Sequence, residues 1–307
     1  MKRALFAGEI NVDLVLQGYT EFPAPGKEVL VEDFAMVLGS ATAIMAMGLA
    51  RLGTYVAFVG KVGDDVFGRH CVEEMAGRGI DLTHVMRGSG LKTGVTVSIT
   101  HPADRALVTY LGAIRALKGA DVDDAAMAGL DHLHSSSFFF QDGLRPDLPD
   151  LFARARRAGL TTSLDTGFDP SGGWDGGLRA TLRETDVFFP NEVELEALTG
   201  CAEPAEAIRA LDNGRTRIVA KLGKDGAMAL DGGQVVQVPA YPVETLDTTG
   251  AGDSFNAGFL HRWLQGAPLV ECLRLGAACG ALSTLGLGGT AAQPTLSEAE
   301  ALIHSRR

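Results

Sequence analysis

Two hydrophobic periodicities alternate along most of the chain. From about residue 120 onward, short runs of β-branched or aromatic residues alternate with longer stretches whose apolar residues recur at helical spacing. The candidate strands are Leu130–His134, Thr161–Asp165, Val187–Pro190 and Arg217–Leu222, and the helical stretches include Leu148–Ala158 and Glu192–Leu198. Such alternation predicts an α/β fold with a mainly parallel sheet covered by helices on both faces.

The N-terminal part continues this pattern and then departs from it. Strands are predicted over Ala4–Gly8 and Tyr55–Val59, and helices over Ala41–Leu52 and Phe67–Gly77. In contrast, Lys27–Val37 has extended character, and Lys92–Thr100 with Arg105–Leu111 has the pattern of a hairpin around the turn His101-Pro102-Ala103-Asp104. Strands without intervening helices predict a small separate sheet.

Composition excludes several classes of protein. The chain has 307 residues, of which 46% are hydrophobic and 21% charged, as in ordinary globular proteins. A net charge of −11 argues against a nucleic-acid-binding surface, which needs clustered Lys and Arg. The cysteines are scattered, which predicts reduced thiols and no zinc site. Without a signal peptide or an apolar stretch of ~18 residues, we expect a cytoplasmic protein that makes no membrane contact.

The most informative segment is Asp247–Leu260, which contains the turn Gly250-Ala251-Gly252 and then Asp253 at the start of a helical pattern. Glycines at a helix start let backbone N–H groups converge on an anion, and the helix dipole adds positive potential there. A carboxylate beside such an anion hole suits a hydroxyl that must lose its proton while it attacks a phosphoryl group. The alternative is an ordinary acid in a first helical turn.

Two further segments have the chemistry of ligand sites. Asn191 and Glu194 follow a strand at i and i+3, where they suit either Mg²⁺ held through water or a helix cap. The loop from Lys221 through Gly223 to Gly226 allows the chain to pass close to a flat ligand, although a plain hairpin turn has the same composition. The turn Gly250-Ala251-Gly252 with the two residues after it lacks the Gly-Lys-Ser/Thr ending of a P-loop.

Polar residues also close the first predicted strand. Glu9, Asn11 and Asp13 alternate with apolar residues, so that their side chains project to one side. At the carboxyl end of a strand, where α/β folds bind ligands, Asn11 and Asp13 suit the binding of vicinal hydroxyls. Turn formation is the alternative explanation.

Together these motifs resemble the ribokinase-like (PfkB-type) carbohydrate kinases over nearly the whole chain. The segment 247–260 matches the C-terminal signature of that family, and 39–53 matches the N-terminal one through its Ala-Arg-Leu-Gly end. Ser40 stands where a second glycine is usual, and Ile44 where an asparagine often touches the sugar. The resemblance implies one ribokinase-like domain over 1–307, a three-layer α/β/α fold with a β-sheet lid inserted at about 14–38 and 91–112.

The resemblance also implies roles for individual residues. It implies that Asp253 is the catalytic base and that Gly250, Ala251 and Gly252 form the anion hole. The implied sugar contacts are Asn11, Asp13, Gly39 and Ser40, and the implied ATP contacts are Asn191, Lys221, Gly223, Gly226 and Gly252. Mg²⁺ is implied to bind Asn191 and Glu194 through water. Potassium is implied to bind Asp247 and Thr249.

The expected activity is therefore ATP-dependent phosphorylation of a hydroxymethyl group on a sugar or sugar-like molecule. The sequence leaves open a nucleoside kinase of the same superfamily and a non-catalytic sugar-sensing protein on this fold. The substrate itself stays open among ribose, fructose, a keto sugar acid, a sugar phosphate and a nucleoside. We also expect a homodimer built by the lid strands, because a small sheet leaves one face and its edges in need of cover.

Overall fold

Two β-sheets organise the polypeptide in the computed structural model, which describes residues 1–19, 21–101 and 104–305. The strands are β1 Arg3–Ala7, β2 Asn11–Gln17, β3 Asp33–Leu38, β4 Tyr55–Gly63, β5 Asp81–Gly88, β6 Gly94–His101, β7 Asp104–Tyr110, β8 His132–Ser135, β9 Thr161–Leu164, β10 Val187–Phe188, β11 Arg217–Lys221, β12 Ala227–Asp231 and β13 Gln234–Val238. The α-helices are α1 Ala41–Arg51, α2 Val66–Gly77, α3 Asp124–Met127, α4 Leu148–Arg157, α5 Leu178–Leu182, α6 Glu192–Thr199, α7 Pro204–Leu211, α8 Ala251–Leu264, α9 Leu269–Ser283 and α10 Leu296–His304.

The large sheet has the strand order β13-β12-β11-β10-β9-β8-β1-β4-β5. The seven strands from β11 to β5 run parallel, and the hairpin of β12 and β13 adds an antiparallel edge. Helices cover both faces. The predicted three-layer arrangement with a mainly parallel sheet is therefore confirmed.

Alternate residues of β1 show how the sheet separates two cores. Ala4 and Phe6 pack with α1, α8 and α9 on one face, whereas Leu5 and Ala7 pack with α4, α6 and α7 on the other. Strands buried on both faces have nearly continuous apolar runs. The sequence therefore predicted the alternation of strands and helices.

The small sheet has the order β3-β2-β6-β7 and corrects two predictions. The first strand ends at Ala7, and Asn11 and Asp13 belong to β2 of the small sheet rather than to the end of β1. The strand predicted over Lys27–Val37 begins only at Asp33. β6 and β7 form the predicted antiparallel hairpin, and Pro102 and Ala103 of its turn lie outside the described residues.

Two further sequence expectations concern thiols and membranes. All four cysteines are free thiols, as expected from their spacing. Within residues 1–19, 21–101 and 104–305, none of the helices is both long enough and apolar enough to cross a bilayer.

A line of buried polar side chains crosses the core between β8 and β9. It runs from Thr161 to His132, Ser163, His134 and Ser136 through four hydrogen bonds of 2.7 to 2.8 Å. Burial lowers the pKa of His134 to about 3, with repulsion by the Lys221 ammonium as a smaller cause. Both imidazoles are therefore neutral partners in a closed network, which satisfies polar groups inside an otherwise apolar core.

These imidazoles predict an acid-sensitive core. The unfolded chain binds a proton at His134 near the ordinary pKa of 6.5, and the folded chain only near 3. The contribution of His134 is therefore complete above pH 6.5 and is lost as the pH falls toward 3, by up to about 1.4 kcal/mol per pH unit. Urea unfolding between pH 7 and 4 measures this slope. In His134→Asn we expect a shallower slope; equal slopes in both proteins would contradict this account.

Candidate active site

The turn before α8 forms an open cradle of backbone N–H groups. Gly250 precedes the helix with φ at +72°, and a Cβ there would lie 2.6 Å from Gly289 Cα. The N–H of Ala251 donates to the Thr248 carbonyl at 3.2 Å, which leaves the first-turn N–H groups of Gly252 and Asp253 without an intrahelical acceptor. A helix N-terminus in this form attracts an anion.

Two cavities meet at this turn. The larger cavity, of about 620 Å³, is lined by Thr248, Ala251 and Gly252 on its α8 side. The smaller cavity, of about 210 Å³, is lined by Thr249, Gly250 and Asp253. Neighbouring residues of a single turn thus face two separate spaces, so that groups bound in the two cavities would approach each other across the N-terminus of α8.

The larger cavity has glycines and small side chains on two walls. One wall is the tight turn between β11 and β12, with Lys221, Gly223 and Gly226. Gly226 has φ at +92°, and a Cβ there would lie 2.0 Å from the Val238 carbonyl oxygen, so the turn requires glycine. The second wall is formed by α9, with Ala277, Gly280 and Ala281, and by Thr284 directly after it. This second wall was missed at the level of sequence, because small residues in a helix are usually packing contacts.

The smaller cavity contains the polar residues of β2. The Asn11 amide donates to Asp13 Oδ1 at 3.0 Å and to Thr96 Oγ1 at 3.1 Å, which fixes the orientation of both side chains. A Cβ at Gly39 would lie 2.1 Å from Asp13 Oδ1, so glycine allows this carboxylate to lie against the backbone. The pairing of β2 with β3 in the small sheet therefore brings Asn11, Asp13 and Gly39 into one group.

The start of α1 also borders the smaller cavity. Ser40 has φ at +77°, which explains why a glycine suits this position, and its buried Oγ has no hydrogen-bond partner among the described residues. Ser40 does not cap α1; instead Glu9 accepts hydrogen bonds from Thr42 N and Thr42 Oγ1, at 3.0 and 2.6 Å. Burial raises the pKa of the Glu9 carboxyl, and the Thr42 hydrogen bonds oppose that rise.

Asn191 and Glu194 form a reciprocal helix cap. Asn191 Oδ1 accepts from Glu194 N, and Glu194 Oε2 accepts from Asn191 N, both at 2.9 Å. The structure therefore contains the helix cap that the sequence suggested as the alternative. Glu194 Oε1 takes no part in that cap. Burial first, and repulsion by Asp165 second, raise the pKa of Glu194 to about 7.

Asp165 was missed as a site residue, although it lay at the end of a predicted strand. Its Oδ2 accepts a 2.5 Å hydrogen bond from Lys221 Nζ and a 2.7 Å one from the Asn256 amide. Burial raises the pKa of Asp253 well above its ordinary value; repulsion by Asp165 adds to the rise, and attraction by Lys221 opposes it. The carboxyl ends of parallel strands collect functional groups, and that rule would have identified Asp165.

Asp247 connects the anion cradle to a later loop. Its Oδ1 accepts from Thr249 N at 2.9 Å and Thr249 Oγ1 at 2.7 Å, and its Oδ2 accepts from Gly288 N at 2.8 Å. One carboxylate thus holds the turn that contains Gly250 against the segment that contains Gly289.

Substitution at Gly250 tests how closely the cradle is packed. Gly250 and Gly266 have similar φ, +72° and +75°, but a Cβ at Gly266 would meet open space. We expect Gly266→Ala to cost about 1–2 kcal/mol of unfolding free energy through backbone strain alone. In Gly250→Ala we expect a larger loss, because the methyl group overlaps Gly289. Chemical denaturation of both variants makes the comparison, and equal losses would argue against close packing at the cradle.

Comparisons with known proteins agree with this architecture. The family described as pfkB family carbohydrate kinase matches residues 1–296. An ATP-dependent ribose-1-phosphate kinase of Halopiger xanaduensis is 31% identical over 309 residues, which cover 100% of this chain and 99% of that protein.

Among solved structures, a putative ribokinase II from E. coli is similar in its apo form, with TM-score 0.89, 24% identity, and coverage of 99% of this chain and 100% of that one. Its complex with ATP and Mg²⁺ has TM-score 0.87, 23% identity and the same coverage. At these identities the structures establish the fold, and the sequence match establishes the family. The chain belongs to the pfkB family of carbohydrate kinases.

Proposed function

We propose that this protein transfers the γ-phosphoryl group of ATP to a hydroxymethyl group of a neutral, sugar-like molecule. One observation carries the proposal: the turn before α8 lines both cavities, and Asp253 lies where they meet. A nucleotide in the larger cavity and an acceptor in the smaller one would place their reacting groups on either side of the anion cradle.

Asp253 is the proposed base. The acceptor oxygen forms a bond to phosphorus, the bond from phosphorus to the leaving oxygen of ADP breaks, and the hydroxyl proton passes to Asp253. Because burial makes this carboxylate more basic than usual, it is a better proton acceptor once the hydroxyl is engaged. The free N–H groups of the cradle stabilise the charge on the transferring group, whose transition state is loose.

The larger cavity fits ATP. Lys221, Gly223, Gly226 and Gly252 line it, and the small residues of α9 leave a slot for a flat base. The Lys221 ammonium supplies positive charge near the cradle, where phosphates would lie.

Mg²⁺ fits the chemistry of Glu194 and Asn191. Burial, and after it repulsion by Asp165, raises the pKa of Glu194 to about 7, and a nearby cation would favour its charged form. Within the described residues, no three acidic, histidine or cysteine side chains converge on a metal position. Glu194 and Asn191 would hold the ion through water, because magnesium keeps much of its hydration shell. The bound ion would neutralise charge on the nucleotide phosphates.

A monovalent cation is the proposed partner of Asp247 and Thr249. Asp247 already connects the cradle to Gly288, so a potassium ion beside it would stiffen the turn that forms the anion hole. Rates measured in potassium and in a bulky organic cation test this proposal; equal rates would reject it.

The chemistry of the smaller cavity favours a neutral acceptor. Its lining includes the carboxyls of Glu9, Asp13 and Asp253 and, among the residues that the structure describes, no Lys, Arg or His. A phosphorylated or acidic substrate would bring negative charge into this space without a cation to meet it. Phe140 is its one aromatic lining residue in the described part of the chain, which favours a sugar over a stacked nucleobase.

The lid proposal concerns the outer face of the small sheet. Leu107 and Thr109 line the smaller cavity, so Val108 and Tyr110, at alternate positions, point away from it and are exposed. Phe34 on β3 is exposed as well. We propose that a second copy of the chain covers this face. Sedimentation at micromolar concentration tests it, and a monomer alone would count against it.

Removal of the proposed base is the direct test of the function. We expect Asp253→Asn to lower kcat by at least ~10² without loss of ATP binding, because the amide cannot accept the hydroxyl proton. Glu206→Gln, an exposed acid on α7, is the matched control and should keep its rate. The measurement is an ADP-release assay across a panel of neutral sugars, with calorimetry for ATP. Wild-type rates in Asp253→Asn would remove it from the mechanism, and absence of any turnover by the wild type would favour the non-catalytic alternative.

Ile44 predicts a preference for an apolar edge on the acceptor. Its side chain lines the smaller cavity and packs between Gly250 and Gly289. A hydroxyl buried against it would lose water without replacement, at about 1–3 kcal/mol. We therefore expect kcat/KM for 2-deoxyribose to exceed that for ribose by about tenfold.

Two variants separate polarity from packing at this position. Ile44→Asn should reduce the preference for 2-deoxyribose over ribose, because the amide can form a hydrogen bond with the ribose hydroxyl. Ile44→Val should leave this preference unchanged. An efficient wild-type reaction with ribose, together with an unchanged ratio in Ile44→Asn, would show that Ile44 has only a packing role.

A further inference from the structure

A buried lysine lines the larger cavity beside the first turn of α8. The Lys221 side chain is 14% exposed, and its ion-pair partner Asp165 is 6% exposed. A Cβ at Gly252 would lie 3.5 Å from Lys221 Nζ, so the ammonium lies directly beside the first turn of α8. This is where the phosphoryl group would be transferred. A buried ion pair is rarely the most stable choice for a core, so its presence here points to a role in function.

Asp165 is itself held in a fixed orientation. Its Oδ1 accepts from Gly167 N at 3.0 Å, and its Oδ2 accepts from the Asn256 amide at 2.7 Å. Asn256 is fully buried on α8, one turn beyond Asp253. A single carboxylate therefore connects the end of β9, the end of β11 and the helix with the proposed base. The position of the ammonium relative to Asp253 is fixed through Asp165.

The Lys221 ammonium has more N–H donors than hydrogen bonds within the described residues. An ammonium has three N–H groups, and Asp165 is the one hydrogen-bond acceptor of Lys221 Nζ within the described part of the chain. Two donors therefore stay available at the anion cradle. Burial would lower the pKa of Lys221, but the carboxylates of Asp165 and Glu194 outweigh it and raise the pKa, so the group stays charged.

We propose that Asp165 and Asn256 are positioning residues, which hold the Lys221 ammonium at the cradle so that its two remaining N–H groups donate to the transferring phosphoryl group. The proposal rests on the phosphoryl transfer proposed above. Asp165 competes with the nucleotide for the ammonium in the ground state and orients it in the transition state.

This arrangement predicts opposite effects on binding and on rate. In Asp165→Asn the ammonium loses its competing carboxylate, so a non-hydrolysable ATP analogue should bind about threefold tighter or more while kcat falls about tenfold or more. In Lys221→Met, the affinity for the analogue and kcat should each fall by about tenfold or more. General structural damage does not tighten ligand binding, so calorimetry in the absence of sugar separates positioning from misfolding.

A double-mutant cycle tests whether Asp165 acts through Lys221. If it does, the double variant Asp165→Asn/Lys221→Met should have nearly the kcat of Lys221→Met alone. The double variant also removes both buried charges, so it stays testable if the single Lys221→Met protein is unstable. Asn256→Ala should lower kcat in the wild type and have little effect in Lys221→Met. Lys221→Arg should restore part of the activity that Lys221→Met loses.

The matched control is Asp169→Asn. Asp169 is a comparably buried carboxylate in the segment after β9, and its partners are Ser171 and the Trp174 N–H. We expect this variant to change stability without tightening analogue binding. Two results would overturn the proposal: additive effects of Asp165→Asn and Lys221→Met on kcat, or weaker analogue binding by Asp165→Asn that excess Mg²⁺ restores, which would assign Asp165 to the metal instead. A wild type without sugar turnover would reject the proposed function, and the calorimetry would still test the positioning of Lys221.

Discussion

The N-terminus of α8 is the constraint on which the rest of the site depends. Its first turn lies between two cavities with the N–H groups of Gly252 and Asp253 outside the hydrogen bonds of the helix, and this requires Gly250 at positive φ in contact with Gly289. Asp247 holds the two segments together by accepting hydrogen bonds from both. Three segments are therefore packed around one helix end rather than placed independently. They are the loop with Gly289, the start of α1 and the end of β11.

Negative charge is concentrated around that helix end. Asp165, Glu194 and Asp253 interact with one ammonium, that of Lys221. Burial and mutual repulsion raise the pKa values of Glu194 and Asp253, and a helix N-terminus is a favourable place for such groups. An arrangement with more carboxylates than cations suits a protein whose ligands bring both phosphates and a metal ion, because the ion offsets the excess charge of both.

The smaller cavity, which is the proposed acceptor site, is organised by hydrogen bonds within the protein. Hydrogen bonds within the protein fix Asn11, Asp13 and Thr96 before any substrate arrives, which reduces the entropy lost on binding. Two residues distinguish the lining of this cavity. Ile44 presents an apolar surface, and Ser40 has a buried hydroxyl without a hydrogen-bond partner among the described residues. The selectivity of this protein is therefore expected to depend on the start of α1 rather than on the cradle, whose geometry tolerates little change.

Local sequence determined the fold class and pointed to much of the candidate site. The alternation of apolar runs predicted the parallel sheet, and the glycines and acids of 247–253 predicted the cradle, because both signals lie within a few neighbouring residues. Tertiary structure alone decided that Asn11 and Asp13 lie in the small sheet, since two strands joined by a short break have one continuous pattern. It also decided the wall formed by α9 and the contacts of Asp165 with Lys221 and Asn256. These features join residues from distant segments, and no local periodicity records which strand ends and helix faces the folded chain brings together.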